Sequence, residues 1–349
     1  DNIGVGDVLA YSNGSNQIAF IHGRTSSKVF MIKDKDGGTP APTPAGTSVG
    51  VYRAYTSLAN WENQVENASI TEPVENDVNP ATDLVAADTV MMVACYADGV
   101  DSSAVTINGW NTDSDHYVKI YTPVSTNEVG ISQRHSGTWG GQGYSREVTT
   151  TGEALFISEE NVRIEGLRLS VTASSGGPNP IRVAPTGTGT DVRISDCIIR
   201  GVLSGSVDSA EGVVISGTGT GTVNIWNNIV YDFNIGPTEG AGLENYADNQ
   251  TAYMYNNTVY NCVRGIWGSG AGALVAKNNL VHTCGDDYDG TFDNASDNNL
   301  GEDAAFPEDS NYVQTTQTAA QIFVDNSGSP PDFHILSTSD AYDAGANLS

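Results

Sequence analysis

The chain has 349 residues with 42 acidic and 15 basic side chains, a formal net charge of −27, and 39 glycines. Only 16% of the residues are charged, and neither the composition nor any sustained heptad points to a helical protein or a coiled coil. The negative charge disfavours a nucleic-acid partner because phosphates would be repelled, and the absence of any run of about 18 apolar residues predicts no membrane span.

The first 50 residues predict a small β unit that ends in a Pro/Gly-rich linker. Residues 8–11, 17–22 and 28–32 are short runs of the kind that form strands, and Asn13-Gly14 is a hairpin signal between the first two. Residues 37–50 contain three prolines, which is typical of an extended connection.

A short capping helix is predicted next. Leu58, Trp61 and Val65 recur at helical spacing within residues 55–66. A helix here would cover the open end of a first β coil, whose unpaired backbone groups would otherwise recruit another strand. The apolar run at residues 89–96 predicts the first strand of that coil.

A repeat dominates the second half of the chain. One six-residue pattern recurs at residues 164–169, 194–199, 225–230, 254–259 and 276–281. The third positions of these copies are separated by 30, 31, 29 and 22 residues. Such short runs, with two or three strands per period, indicate coils of a parallel β-helix, in which equivalent residues stack about 4.8 Å apart. Apolar residues such as Ile229 are assigned to the core.

The repeat predicts a structural ladder at the bend of each coil. The asparagine pairs expected to form this ladder are Asn227, Asn228, Asn256, Asn257, Asn278 and Asn279. The same register makes Cys262 and Cys284 neighbours in successive coils, either as a disulfide or as two stacked thiols. It also aligns a column of Arg200, Tyr231, Tyr260 and His282. That column is either a structural ladder or an exposed stripe that stacks on sugar rings.

Residues 160–300 resemble the right-handed parallel β-helix superfamily, which includes pectate lyases, polygalacturonases and phage tailspikes. The closer resemblance is to uncharacterised secreted bacterial right-handed β-helix repeat proteins. Residues 55–62 resemble the capping helix of that group, and residues 332–336 with 343–345 resemble its last coils. The resemblance implies an all-β, right-handed parallel β-helix (solenoid) over residues 51–349, with a short N-terminal capping helix, preceded by the β unit of residues 1–50. It implies no shared catalytic motif.

A group of carboxylates within one coil is the main candidate for chemistry. Asp286, Asp287 and Asp289 could hold a structural Ca²⁺, and a lyase-like site would place an acidic sugar against that ion. The weak catalytic candidates are Asp287, Lys277 and His282, since a lyase also needs a residue that takes a proton. The spacing matches no lyase motif, and solvated acidic residues are the more ordinary interpretation. No cofactor is otherwise required.

Three functions from different classes remain open. The first is a secreted or cell-surface structural protein, a rigid rod that forms a filament by head-to-tail self-association. The second is a glycan-binding adhesin or tailspike-like module that uses Trp139, Tyr144 and Trp267, with Trp226 as a further exposed candidate. The third is a lyase or hydrolase of acidic polysaccharide. The structural role ranks first because no catalytic constellation is found. Scarce Lys and abundant Asn, Thr and Gly fit an extracellular or cell-surface location.

Overall fold

The computed structural model describes residues 2–70, 79–235, 240–306 and 308–348. Short β-strands dominate these residues, and two helices of four or five residues accompany them, α1 (Leu58–Glu62) and α2 (Ala319–Ile322). From residue 91 to residue 314 the strands stack into three parallel sheets, so the predicted all-β parallel β-helix is confirmed.

Each complete coil contributes one strand to each of the three sheets. Sheet I contains β5 (Met91–Ala94), β8 (Val118–Tyr121), β11 (Val162–Glu165), β14 (Thr188–Ser195), β17 (Thr220–Trp226), β20 (Gln250–Tyr255) and β23 (Leu274–Lys277). Sheet II contains β6 (Val100–Asp101), β9 (Ser145–Thr149), β12 (Arg168–Gly176), β15 (Ile198–Val207), β18 (Ile229–Phe233), β21 (Thr258–Cys262), β24 (Leu280–His282), β26 (Leu300–Gly301) and β27 (Val313–Gln314). Sheet III contains β7 (Val105–Ile107), β10 (Glu153–Ile157), β13 (Asn179–Val183), β16 (Glu211–Ile215), β19 (Ala241–Asn245), β22 (Arg264–Gly268) and β25 (Asp286–Gly290).

Alternating residues of each strand point inward and form one continuous core. In sheet I, Ile164 pairs with Ile194, Ile194 with Ile225, and Ile225 with Met254, and all four side chains are buried. In sheet II, Val230 points inward, whereas Ile229 points outward. The inward assignment of Ile229 is therefore wrong by one residue, which places a side chain on the opposite face of a strand.

The bend between sheets I and II needs two kinds of asparagine. The first residue of each pair has a positive φ, for example 57° at Asn227 and 54° at Asn256, a conformation that asparagine tolerates. The second residue turns its amide inward: Asn228 donates to Asn257 Oδ1 at 3.1 Å, and Asn257 donates to Asn279 Oδ1 at 3.0 Å. Each amide therefore bonds to the next coil.

The N-terminal sheet lies beside the first coils. It contains β1 (Asp7–Ser12), β2 (Asn16–Ser26), β3 (Val29–Lys33) and β4 (Gly50–Arg53), paired antiparallel in the order β3-β2-β1-β4. Gly4 forms a β-bridge with Val129 of the parallel β-helix, and Arg53 forms ion pairs with Asp7 and Asp98. The chain after the prolines thus returns to this sheet before it enters the coils.

Helix α1 covers the first coil, in the place where the sequence predicts a cap. Ser57 is its N-cap and accepts a hydrogen bond from the Asn60 N–H. Trp61 stacks on Trp110 with 5.1 Å between ring centroids, and Glu62 accepts the Trp110 indole N–H at 3.0 Å.

The C-terminal segment, residues 319–346, lies along the outer face of sheet II. It contains helix α2 and the antiparallel strands β28 (Phe323–Asp325) and β29 (Asp332–Ile335). The interpretation of residues 332–336 as a last coil is therefore wrong. Ile198 and Leu280 point outward from sheet II, and burying them requires a cover such as Phe323 and Phe333. The last coil is formed instead by residues 286–314.

Candidate functional site

The predicted column of side chains is present on the outer face of sheet II, but the C-terminal segment covers it. Strand pairing places Arg200 beside Tyr231, Tyr231 beside Tyr260, and Tyr260 beside His282. Phe333 of the C-terminal segment packs on Tyr231 and Tyr260, with ring centroids 5.1 and 5.0 Å apart. The prediction that this column is an exposed sugar-binding stripe is therefore wrong. The column forms part of an apolar interface between sheet II and the C-terminal segment.

The three weak catalytic candidates lie on three different sheets. Lys277 ends β23 of sheet I, His282 ends β24 of sheet II, and Asp287 lies in β25 of sheet III. His282 is buried, with its Nε2 3.0 Å from the carbonyl oxygen of Gln317 and its Nδ1 2.8 Å from the Thr283 hydroxyl. The structure does not bring these side chains together as a catalytic group.

Asp287 stabilises the last coil through the backbone. Its Oδ2 accepts the N–H groups of Glu302 and Asp303. Its Oδ1 is buried and has no hydrogen-bond partner in the described part of the chain. Burial raises the pKa of Asp287 to about 7, although the two N–H groups favour the charged form. A raised pKa can mark a catalytic carboxyl, but here it belongs to a side chain enclosed by the next coil.

The proposed calcium ligands point in different directions. Asp286 is exposed, Asp287 is buried, and Asp289 forms an ion pair with Arg264. Among the residues that the structure describes, no group of three or more His, Cys, Asp or Glu side chains is arranged to hold a metal ion.

Two of the three predicted glycan-binding residues are buried. Trp139 is 9% exposed and packs against the Arg200 guanidinium at 3.8 Å, and Tyr144 is 6% exposed and donates its hydroxyl to Asp101 at 3.0 Å. Their use as an exposed surface is wrong, because Arg168 of β12 donates to the carbonyl oxygens of residues 139, 141 and 143 and so holds this glycine-rich segment against the coils. Trp267 is half-buried on sheet III, with the Arg264 guanidinium 4.0 Å from its ring centroid.

A different aromatic group lies on the outer face of sheet I. Trp226 pairs with Tyr255, and Tyr255 pairs with Lys277, while Tyr253 lies 5.8 Å from Tyr255 between ring centroids. All three rings are half-buried, and we call Trp226, Tyr253 and Tyr255 the aromatic platform. The sequence suggested Trp226 alone, since the tyrosines join it only through the register of the coils.

Cys262 and Cys284 are neighbours in successive coils and are free thiols. The Gly285 N–H donates to the carbonyl oxygen of Cys262 at 3.2 Å. Burial and the adjacent Cys262 thiol both raise the pKa of Cys284. A disulfide between these residues stays a prediction for oxidising conditions.

The N-terminal sheet, beside the first coils, ends in an apolar edge strand. Strand β3 pairs with β2 on one side and is the last strand of its sheet. Val29 and Met31 are 55% and 59% exposed, and Ile32 is 39% exposed. Unpaired strand edges of this kind are places where another chain can add.

A cavity of about 850 Å³ lies between the N-terminal sheet and the first coil. Residues from both parts line it, including Phe20, Arg53, Met91 and Trp61. The indole N–H of Trp61 is buried without a hydrogen-bond partner in the described residues. Sequence reasoning missed this cavity because its walls come from segments far apart in the chain.

No family model matches this chain, and no curated protein matches it. Among solved structures it is similar to a deglycosylated pectin methylesterase from Aspergillus niger, at 11% sequence identity and a TM-score of 0.26. That likeness covers 72% of this chain and 89% of the esterase. A penultimately deglycosylated form of the same enzyme gives 10% identity and a TM-score of 0.25, over 66% of this chain and 82% of that one. The parallel strand pairing, rather than these likenesses, identifies the fold. No helix within the described residues is long and apolar enough to cross a membrane.

Proposed function

We propose that this chain is a structural subunit of an extracellular fibre, a rigid β-solenoid rod whose copies join head to tail. The observation that carries the proposal is the exposed apolar edge strand β3 of the N-terminal sheet, which lies beside the first coils. A contact between two different surfaces of the same protein propagates into an open fibre unless its rotation closes a ring.

The composition of β3 supports a docking role. Soluble proteins usually protect an edge strand with charges, prolines or a covering loop. Apart from Lys33 at its end, β3 is apolar, and Val29 and Met31 are more than half exposed. Sheet II differs from β3 in this respect, because its outward apolar residues are covered by the C-terminal segment of the same chain.

The test is negative-stain electron microscopy and sedimentation velocity of the purified chain over a range of salt concentrations, with Ca²⁺ or with a chelator. The variant Val29→Ser/Met31→Ser removes the exposed apolar side chains of the edge strand without changing its charge. A matched control, Val124→Ser/Val202→Ser, makes the same change at side chains that are 44% and 43% exposed elsewhere. We expect fibres from the unmodified chain and from the control, and monomers from the β3 variant with an unchanged circular dichroism spectrum.

Two results would contradict this function. A monomeric unmodified chain under every condition would remove the fibre. Fibres that persist in the β3 variant would show that the joint lies elsewhere.

A second candidate function, glycan binding, is favoured by the aromatic platform on sheet I. Trp226 and Tyr255 lie side by side on an outer face, and amphipathic rings of this kind pack against sugar rings. We expect binding on a glycan array that is lost in Trp226→Ala and kept in the control Phe30→Ala. Equal signals from the two variants would argue against the platform. Breakdown of acidic polysaccharide, the third function, has no assembled site among the described residues.

A further inference from the structure

We propose that the joint is electrostatic as well as apolar: the basic patch around β3 docks onto the acidic last-coil end of a second copy. The basic patch is defined as residues 24–35, and the acidic end as residues 286–303. This inference rests on the proposed fibre and names the two surfaces that meet in it.

The basic patch concentrates a scarce residue type. Three of the five lysines in the chain, Lys28, Lys33 and Lys35, fall within eight residues of one another, and all three are exposed. Arg24 adds a fourth positive charge against a single carboxylate, Asp34. These charges flank the exposed apolar residues of β3, so the strand presents apolar contact area between positive groups.

The acidic end has the opposite composition. Residues 278–349 contain 13 acidic residues and no Lys or Arg, and seven of the 13 lie in residues 286–303. Some of these carboxylates serve the fold, as Asp287 does through the N–H groups of residues 302 and 303. Asp286, Asp293 and Glu302 are exposed and face solvent.

The two patches cannot neutralise each other within one molecule. The N-terminal sheet contacts the first coils, whereas the acidic end belongs to the last, and the nine strands of sheet II separate these ends. At about 4.8 Å per strand this distance is roughly 38 Å, several times the Debye length of about 8 Å at physiological salt. A second copy supplies a complementary partner for each patch.

Charge also argues against symmetric pairing of two β3 edges. An antiparallel pair of these strands would bring the lysines of one copy close to those of the other, and like charges on facing strands destabilise a sheet. The acidic end avoids that repulsion. Because exposed ion pairs are individually weak, the charges select the orientation while the apolar side chains of β3 supply contact area.

The experiment exchanges the charges of the two ends. Variant one carries Lys28→Glu, Lys33→Glu and Lys35→Glu, and variant two carries Asp286→Lys and Asp293→Lys. A control, Asp115→Lys/Asp208→Lys, changes two exposed carboxylates on the sides of the rod by the same charge as variant two. Sedimentation equilibrium and electron microscopy at about 0.15 M salt measure the self-association of each protein and of mixtures.

We expect each variant alone to associate at least tenfold more weakly than the unmodified chain, because each reversed charge loses an attraction and adds a repulsion across the joint. The control associates normally. A one-to-one mixture of variants one and two forms fibres again, since joints between two unmodified surfaces alternate with joints whose reversed side chains have opposite charges.

The outcomes separate the two proposals. Fibres that form equally well from each variant alone would overturn the electrostatic joint and leave the fibre itself standing. A mixture that forms only discrete dimers would overturn head-to-tail docking in favour of paired β3 edges. An unmodified chain that never associates would overturn both proposals.

Discussion

The two asparagines of one bend are expected to differ sharply in their effect on stability. Asn257 is 1% exposed, and its Oδ1 accepts the backbone N–H of Asn228 at 3.1 Å, while its amide donates to the carbonyl oxygen of Ile225 at 2.9 Å. Asn256 is exposed, and its role is to adopt a φ of 54°.

The substitution Asn257→Ala leaves the Asn228 N–H and the Ile225 carbonyl without these partners. A buried polar group that loses its hydrogen bond costs about 1–3 kcal/mol, so we expect a loss of roughly 2–6 kcal/mol in the free energy of unfolding. The side-chain amide of Asn228 keeps its bonds to Ile194 and Trp226, which limits the damage to one bend.

The matched control is Asn256→Gly, because glycine adopts a positive φ without steric cost and the Asn256 side chain is exposed. We expect a change below about 1 kcal/mol. Equilibrium urea unfolding, followed by circular dichroism and tryptophan fluorescence, measures both variants. Equal losses for the two, or a loss below about 1 kcal/mol for Asn257→Ala, would refute the stabilising role of the inward ladder.

Three further outcomes are expected. Asp287 has a pKa of about 7 in the fold against 3.8 as its ordinary value, so its favourable contribution to the free energy of unfolding is present below about pH 4 and is lost as pH rises through 7. Asp287→Asn should remove this loss of stability, with a gain of at most roughly 4 kcal/mol at pH 8 in urea unfolding. A parallel pH dependence of stability in the two proteins would contradict this expectation. Phe333→Ala should cost about 3–5 kcal/mol and expose the outer face of sheet II to a hydrophobic dye, whereas an unchanged unfolding midpoint would mean that the C-terminal segment contributes little. The thiols of Cys262 and Cys284 should react slowly with Ellman's reagent in the folded chain, because burial and the adjacent thiol raise the pKa of Cys284, and rapid labelling would show that the last coils open.

The coils could be predicted from the sequence because of the repeat, whereas the environment of individual side chains was harder to predict. The spacing of the asparagine pairs fixes which residues stack, because each bend needs one residue with positive φ and one inward amide. It does not fix which outer face is covered, since a covering segment can come from any part of the chain. Tyr231 therefore looked available for sugar and lies instead under Phe333.

The candidate site was less predictable than the fold for the same reason. Asp286, Asp287 and Asp289 are close in sequence, yet they face solvent, the backbone of the next coil and Arg264 of the preceding coil, respectively. Trp226 and Tyr255 are far apart in sequence and become neighbours only through the coil register. The charge contrast between residues 24–35 and residues 278–349 lies in the sequence, but only the coil order places the two regions far apart.

The C-terminal segment changes how this solenoid is expected to fold. A plain stack of coils has only nearest-neighbour contacts, so its ends can unravel one repeat at a time. Here Asp332 bridges to Thr138, and Ala346 hydrogen-bonds with Asn278, so the last residues fasten coils from the early to the late part of the stack. Such long-range closure slows folding but couples distant repeats. The rod should therefore unfold as one cooperative unit under load, because this segment ties early coils to late ones.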